Sequence, residues 1–453
     1  MSKRRLPLAL GLALTAHALP APAPALPLKV TPPEIKVREH QLANGLEVIL
    51  HEDHSVPVAN VQVWYHVGSK DERQGRSGFA HLFEHIMFKG SANVGPEEHK
   101  DFINAIGGRY NATTDFDRTL YFETIPSNYL ERILWMEADR MRSLDVSEEN
   151  FKSEREVVKE ERRLRVENPP FGRLFELVLD KTFTTHPYRI LPIGSMADLD
   201  AATIQDVRDF HSTYYVPNNA TLVVAGDFRS DEVLGWIERW FGSIPKGKQI
   251  PRNVPKEPAQ TAERRTVAYD SNAPLPVVLF TYHMPEAGHP DLYALEVAAN
   301  VLSEGQSSRL YRKLVYDQQI ALQAGGQTIV LEDPGVFFFF AILQGDQVQQ
   351  AETSLQEEVQ RLQSTPVGAA ELEKAKNQLI ARQVFGRETV QDKGEALGYA
   401  SVILEDLSRV NKDLAEYQKV TADDVLRVAK TYFKPESRTV VHMLPESMKE
   451  KQP

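Results

Sequence analysis

One stretch of this chain occurs twice. Thr203-Ile204-Gln205-Asp206-Val207, then Tyr214-Tyr215-Val216-Pro217, then the β-rich run Ala220 to Gly226, returns near the other end. The second copy reads Thr421-Ala422-Asp423-Asp424-Val425, Tyr432-Phe433-Lys434-Pro435 and Arg438-Thr439-Val440-Val441-His442-Met443, an offset of 218 residues. Trp64-Tyr65-His66 and Thr281-Tyr282-His283 stand about one period apart as well. A repeat this long means two duplicated domains, not a stack of short units. About 425 residues beyond a leader are also too many for one core. The expected layout is a first domain over 30–245, a Pro-, Lys- and Gln-rich linker over 246–263, and a homologous domain over 264–448. Each domain reads as α+β, a mostly antiparallel sheet with helices packed on one face. Gly45 to Leu50 and Val58 to Val67 carry the apolar and β-branched residues of strands. Helices are expected near 96–106, 129–144 and 148–166. Phe337 to Phe340 reads as a strand buried on both faces.

The first domain alone carries His81-Leu82-Phe83-Glu84-His85. On a helix the two histidines, four apart, share a face, with Glu84 close beside them. Two imidazoles and a carboxylate are a ligand set that leaves a hydrolytic zinc an open position, and His-x-x-Glu-His is the inverted zincin pattern. Phe79, Ala80, Leu82, Phe83, Ile86, Met87 and Phe88 make this helix largely buried, so its histidines need partners. A further donor is expected from the helix that Asn168-Pro169-Pro170 ends. Glu154 and Glu161, seven apart, share a face there, while Glu160 is turned away by about 100°. One of the aligned pair can bind metal while the other orients a histidine. Glu156 and Glu160 read as a solvated face.

These two stretches, about 76 residues apart, resemble the pitrilysin/insulysin-type zinc metallopeptidases, and among them half-size subunits like mitochondrial processing peptidase. The resemblance implies one Zn²⁺ on His81, His85 and Glu161, with Glu154 supporting and Glu84 as general base, in half of a clam-like chamber. It also implies that Gly107 to Thr114 is an edge strand to which a peptide substrate adds, with Asn111 and Ala112 holding the peptide across the scissile bond. The second domain has the apolar helix Ala294 to Leu302 in place of the ligand set. In the family, an arginine and a tyrosine seven residues later follow a Ser-Ser-Arg-Leu-like motif, here Ser307-Ser308-Arg309-Leu310. That register falls on Val315 and Leu322. Arg309 and Tyr316 have the same spacing but stand six residues too early. The resemblance therefore implies a zinc-bearing subunit whose homologous partner supplies the Arg/Tyr pair, a heterodimer; a homodimer is the alternative. The function expected is a zinc endopeptidase of short unstructured peptides. A catalytically inactive scaffold or assembly subunit is the other reading, favoured by the missing pair.

Residues 1–25 read as a signal peptide. Lys3-Arg4-Arg5 precedes the apolar run Leu6 to Ala16 and a small-x-small site at Ala16-His17-Ala18. The run is too short for a membrane span. Export together with the absence of cysteine suggests a bacterial periplasm. The formal charge of −11 becomes −14 without that leader. It excludes the basic patch nucleic acid needs and disfavours anionic membranes. His51 and His54 are expected in a loop after a strand, and His66, His186 and His283 in structural roles.

Overall fold

The computed structural model describes residues 33–451, so the expected leader over 1–25 lies outside them. The first half runs β1 (Arg38–Gln41), β2 (Glu47–Glu52), β3 (Val58–Tyr65), α1 (Phe79–Ile86), α2 (Glu98–Ala105), β4 (Arg109–Thr114) and β5 (Thr119–Pro126). It continues with α3 (Leu130–Ser143), α4 (Glu148–Arg162), α5 (Leu174–Thr182), α6 (Met196–Ala201), α7 (Ile204–Tyr214), β6 (Ala220–Gly226) and α8 (Ser230–Phe241). After a segment without helix or strand, the second half runs β7 (Arg264–Asp270), β8 (Val277–His283), α9 (Leu292–Ser303), α10 (Arg309–Tyr311), β9 (Ala321–Ile329) and β10 (Val336–Leu343). It ends with α11 (Val348–Ser364), α12 (Ala369–Phe385), α13 (Val390–Val402), α14 (Arg409–Lys419), α15 (Ala422–Tyr432) and β11 (Arg438–Pro445).

The sheets are ordered β1-β2-β6-β3-β5-β4 and β7-β11-β8-β10-β9. Each is antiparallel except for one pair, β2 with β6 and β7 with β11. The repeat has a local cause. Thr203 and Thr421 cap α7 and α15 in reciprocal capping boxes with Asp206 and Asp424, which fixes where each helix begins. Buried valines on β6 and β11 then fill the centre of each sheet.

The architecture is α+β with two sheets, as expected, and most helices lie on one face of each. The second face is not left to solvent. Helix α13 crosses onto the first sheet, where Leu397, Ala400 and Val402 meet Ile49, Trp64 and Val223. Helix α5 crosses the other way, packing Val178 on Leu279 and Val441. Because α5 and α13 lie one period apart, the exchange is reciprocal. Phe337 and Phe339 face the second core while Phe338 and Phe340 meet α5, so β10 is enclosed on both sides. A polar joint adds to this contact. Glu332, between β9 and β10, accepts from Lys70 Nζ at 2.6 Å and pairs with His66 at 2.7 Å.

One expectation fails locally. His51 lies in β2 and is buried, its Nδ1 2.7 Å from the Lys36 carbonyl oxygen. The strand continues because β6 pairs with it through Glu52. Only His54 is in the turn, beside Asp227.

The approach of α13 depends on Gly398, where an added Cβ would lie 2.1 Å from the Trp64 ring. Gly398→Ala is expected to cost about 1–3 kcal/mol by overpacking. Gly235→Ala, in α8 with open space around it, should be neutral or stabilising. Denaturant midpoints of the two variants would check this; equal effects would refute the close-contact account.

Candidate metal centre

Helix α1 buries Phe79, Ala80, Leu82, Phe83 and Ile86 in the first core. That leaves His81, Glu84 and His85 on its half-buried face. Opposite lies α4, which begins at its N-cap Ser147 and buries Phe151, Glu154, Val158 and Arg162. The two helices bring three donors together. His85 Nε2 is 3.3 Å and His81 Nε2 3.6 Å from Glu161 Oε2. One donor atom from each of these residues lies within 4.8 Å of the others. Zinc bonds of about 2.0–2.1 Å in a tetrahedron hold donors roughly 3.3 Å apart, so the set fits that ion.

Glu154 does a different job from Glu161. Its Oε2 is 3.3 Å from His85 Nδ1 and its Oε1 3.0 Å from Lys89 Nζ. His85 donates from Nδ1 toward Glu154 and from Nε2 toward Glu161, and loss of the Nε2 proton turns that lone pair to the site while Glu154 keeps the ring in place. Burial opposes charge on His85, but hydrogen bonds to Glu154 and Glu161 outweigh it and raise its pKa to about 9. Burial, assisted by His85, lowers His81 to about 4, which keeps that imidazole neutral. The hydrogen bond from His85 holds the Glu161 carboxyl below its usual range. Two carboxylates around two imidazoles make a site that favours positive charge.

Glu84 does not join the donor trio. Its Oε2 accepts from Thr114 Oγ1 at 2.6 Å, and burial raises its carboxyl against that bond. Thr114 ends β4, the outermost strand of the first sheet, whose far edge pairs with no strand among the described residues. Alternation turns Tyr110, Ala112 and Thr114 toward the helices. Ala112 is buried there, and Asn111 is exposed on the other face. Both residues are therefore on the edge strand that ends at Thr114, beside Glu84.

The second half has none of these donors. One period beyond His81, Glu84, His85, Glu154 and Glu161 stand Ala299, Leu302, Ser303, Leu372 and Leu379. Four of the five belong to the second apolar core. Arg309 is held by Glu371 through two hydrogen bonds, of 2.8 and 2.7 Å, and Tyr316 is 75% exposed. Val315 is half-buried against the second core, and Leu322 is exposed on β9.

A second acid–histidine group escaped the sequence reading because its members come from three separate elements. His99 of α2, Glu123 of β5 and Glu137 of α3 converge in the first core. Their only sequence signal is charge on otherwise apolar faces. Arg140 already occupies this group, its Nη2 2.5 Å from Glu137 Oε2 and 3.6 Å from Glu123 Oε1. Burial, and then Glu137, push the Glu123 carboxyl well up, so it is neutral. The guanidinium supplies positive charge to this buried group from within the fold.

A duplicated α+β chain with an inverted zincin helix facing a glutamate defines a metallopeptidase class. Comparison with known proteins agrees. Residues 47–191 match the family described as Insulinase (Peptidase family M16), and residues 201–379 match its Peptidase M16 inactive domain. The zinc protease PqqE of Helicobacter pylori is 35% identical over 416 residues, 89% of this chain and 92% of that one. The uncharacterized zinc protease YmxG of Bacillus subtilis is 25% identical over 398 residues, covering 88% of this chain and 96% of its own. A solved structure of a protease from Helicobacter pylori matches with a TM-score of 0.87 at 33% identity, over 91% of this chain and 100% of that one. The chain belongs to the M16 peptidase family.

The network around Arg140 gives an asymmetric prediction. Glu137→Gln removes the partner of a buried guanidinium and is expected to cost about 3–5 kcal/mol. Glu123→Gln replaces a neutral carboxyl with a neutral amide and should cost far less. Urea unfolding of both variants would show it; equal losses would mean Glu123 is charged.

Proposed function

We propose that this chain is a zinc-dependent endopeptidase of short, unstructured peptides that works in the periplasm with a homologous partner subunit. The observation that carries the reading is the convergence of His81, His85 and Glu161 at 3.3–3.6 Å, with Glu84 between that trio and an open strand edge. His81 and His85 would hold the ion through Nε2 and Glu161 through a carboxylate oxygen, while Glu154 fixes the His85 ring. Bound zinc supplies Lewis acidity toward the scissile carbonyl and toward water in its open position. Glu84, raised by burial, takes the proton of the attacking water and later delivers it to the leaving amine. Thr114 keeps Glu84 pointed at the end of β4. The free edge of β4 pairs with substrate main chain, with Asn111 and Ala112 spanning the scissile bond, so the substrate must be extended. Relatives named zinc proteases support the metal, and the inactive-domain match spans residues 201–379, which hold none of the donors.

Support for a partner comes from what the second half presents. Val315 and Leu322 offer no guanidinium or hydroxyl, and Arg309 is committed to Glu371. A homologous subunit would supply the Arg/Tyr pair that stabilises the oxyanion; a donor of this kind is worth about 10²–10³ in rate. The same absence favours the second reading, an inactive scaffold. Periplasmic placement rests on the leader pattern and the lack of cysteine. Among the described residues no helix is long and apolar enough to cross a membrane.

The test is hydrolysis of a quenched unstructured peptide by the zinc-loaded chain, alone and with a co-expressed homologous subunit. Cleavage is expected with the partner. Glu84→Gln should keep zinc but lose about 10²–10⁴ in turnover, whereas His81→Ala and Glu161→Gln should lose the metal. Full cleavage by the chain alone would refute the partner requirement, and no cleavage with any homologous subunit would favour the scaffold.

A further inference from the structure

Helix α1 is eight residues long, too short to hold its place by its own propensity. Its first N–H groups also lack a cap from their own segment. The N-cap residue is Gly78, in the left-handed region at φ 91°, with no side chain to offer. The cap comes from Glu72, in the turn after β3. Its Oε2 accepts from the Gly78 N–H at 2.9 Å and its Oε1 from the Ala80 N–H at 2.8 Å. The carboxyl group thus grips both sides of the first turn, one residue before His81.

The same end of α1 is tied to α4 through the turn before α6. Gly78 and Gly194 lie back to back. A Cβ on Gly194 would stand 2.4 Å from the Gly78 nitrogen, and one on Gly78 would stand 2.8 Å from the Ile193 carbonyl oxygen. Ser77 locks the two loops, donating from its N–H to Asp198 at 3.0 Å and accepting from the Ser195 N–H at 3.0 Å. Gly194 then accepts from Arg162 Nη1 at 2.6 Å, and Glu176 holds Nη2 of the same guanidinium at 2.6 Å. Arg162 is buried and immediately follows Glu161. A continuous path therefore runs from the Glu72 side chain through Gly78, Gly194 and Arg162 to the peptide of Glu161. It bridges the two helices that carry the proposed zinc donors.

We infer that Glu72 and Arg162 are positioning residues that set the separation of His81 and His85 from Glu161, an inference that rests on the zinc reading above. Neither touches the donor atoms. Each acts through the backbone at the root of a donor, where a small shift is carried directly to the Nε2 and Oε2 positions. Separations of 3.3 and 3.6 Å suit one ion, and a few tenths of an ångström more would not.

The test is zinc affinity, measured by chelator competition on folded protein below its unfolding temperature. Glu72→Gln leaves one carboxamide oxygen for two N–H groups, and Arg162→Lys keeps the charge but loses the fork between Gly194 and Glu176. Each is expected to weaken zinc about 10- to 100-fold, as loss of an outer orienting partner does. Gly398→Ala, which crowds α13 against Trp64 on the sheet face opposite α1, should lower the melting temperature and leave zinc affinity unchanged. Wild-type affinity in both folded positioning variants would overturn the inference, as would failure of both to fold, since that assigns them to general stability. If only Glu72→Gln fails to fold, the affinity of Arg162→Lys decides. A wild-type chain that binds no zinc would overturn the zinc reading itself.

Discussion

Each sheet of this protein is closed on its second face by a helix from the opposite half, and the arrangement of everything else depends on that exchange. An antiparallel sheet with helices on one side can leave its other side to water, with polar residues alternating there. Here Ile49, Trp64 and Val223 on one sheet, and Leu279, Phe338 and Val441 on the other, are apolar on that second side. Exposing this surface would cost each half buried apolar area, and the two halves share it instead. Glycines at 394 and 398 bring α13 within contact of Gln62 and Trp64. The Trp64 indole is fixed in turn by its bond to Gln62 at 2.8 Å.

Within that shared frame the two halves have diverged in one place above all. The helix pair α1 and α4 gathers two histidines and three glutamates around a point that favours a cation. The matching pair α9 and α12 has alanine, leucines and a serine at the same five positions. The replacements go together for a physical reason. Carboxylates inside a core are costly unless a cation or donors compensate them, so a half that stops binding metal gains by turning every one of them apolar. Leu372 and Leu379 accordingly sit in the second core beside Ala299 and Leu302.

The sequence showed what depends on short spacing. The repeated stretch, the inverted zincin helix and the shared face of Glu154 and Glu161 are each carried by a few neighbouring residues. Which of that glutamate pair faces the histidine Nε2 atoms depends on how α4 docks on α1, which spacing alone leaves open. The cross-packing of α5 and α13 was not legible, because an apolar helix face does not say which sheet it covers. Glu72 and Arg162 were missed for the same reason. Their partners at Gly78 and Gly194 are backbone groups, and backbone hydrogen bonds leave no trace in residue identity. The group of His99, Glu123, Glu137 and Arg140 joins three elements, so no window of sequence contains it.

The half without donors still bears on the site. Strand β4 ends at Thr114, the residue bonded to Glu84, and the turn that follows is held by the turn after β3 and by the other half. The backbone N–H groups of Ser69 and Lys70 donate to the carbonyls of Asp115 and Phe116, at 3.2 and 3.0 Å. Asp117 accepts from Lys70 Nζ at 3.0 Å and from the Glu332 N–H at 2.9 Å, and also from the Tyr188 hydroxyl. Glu332 in turn pairs with Lys70 and His66. Lys70, buried among three carboxylates, is thus the point where the end of the open strand, the turn after β3 and the second half meet. On the proposed reading, a peptide paired to this edge would take its register from what anchors the strand's end. That anchor is shared between Thr114 beside Glu84 and the carboxylates that reach across from the second half.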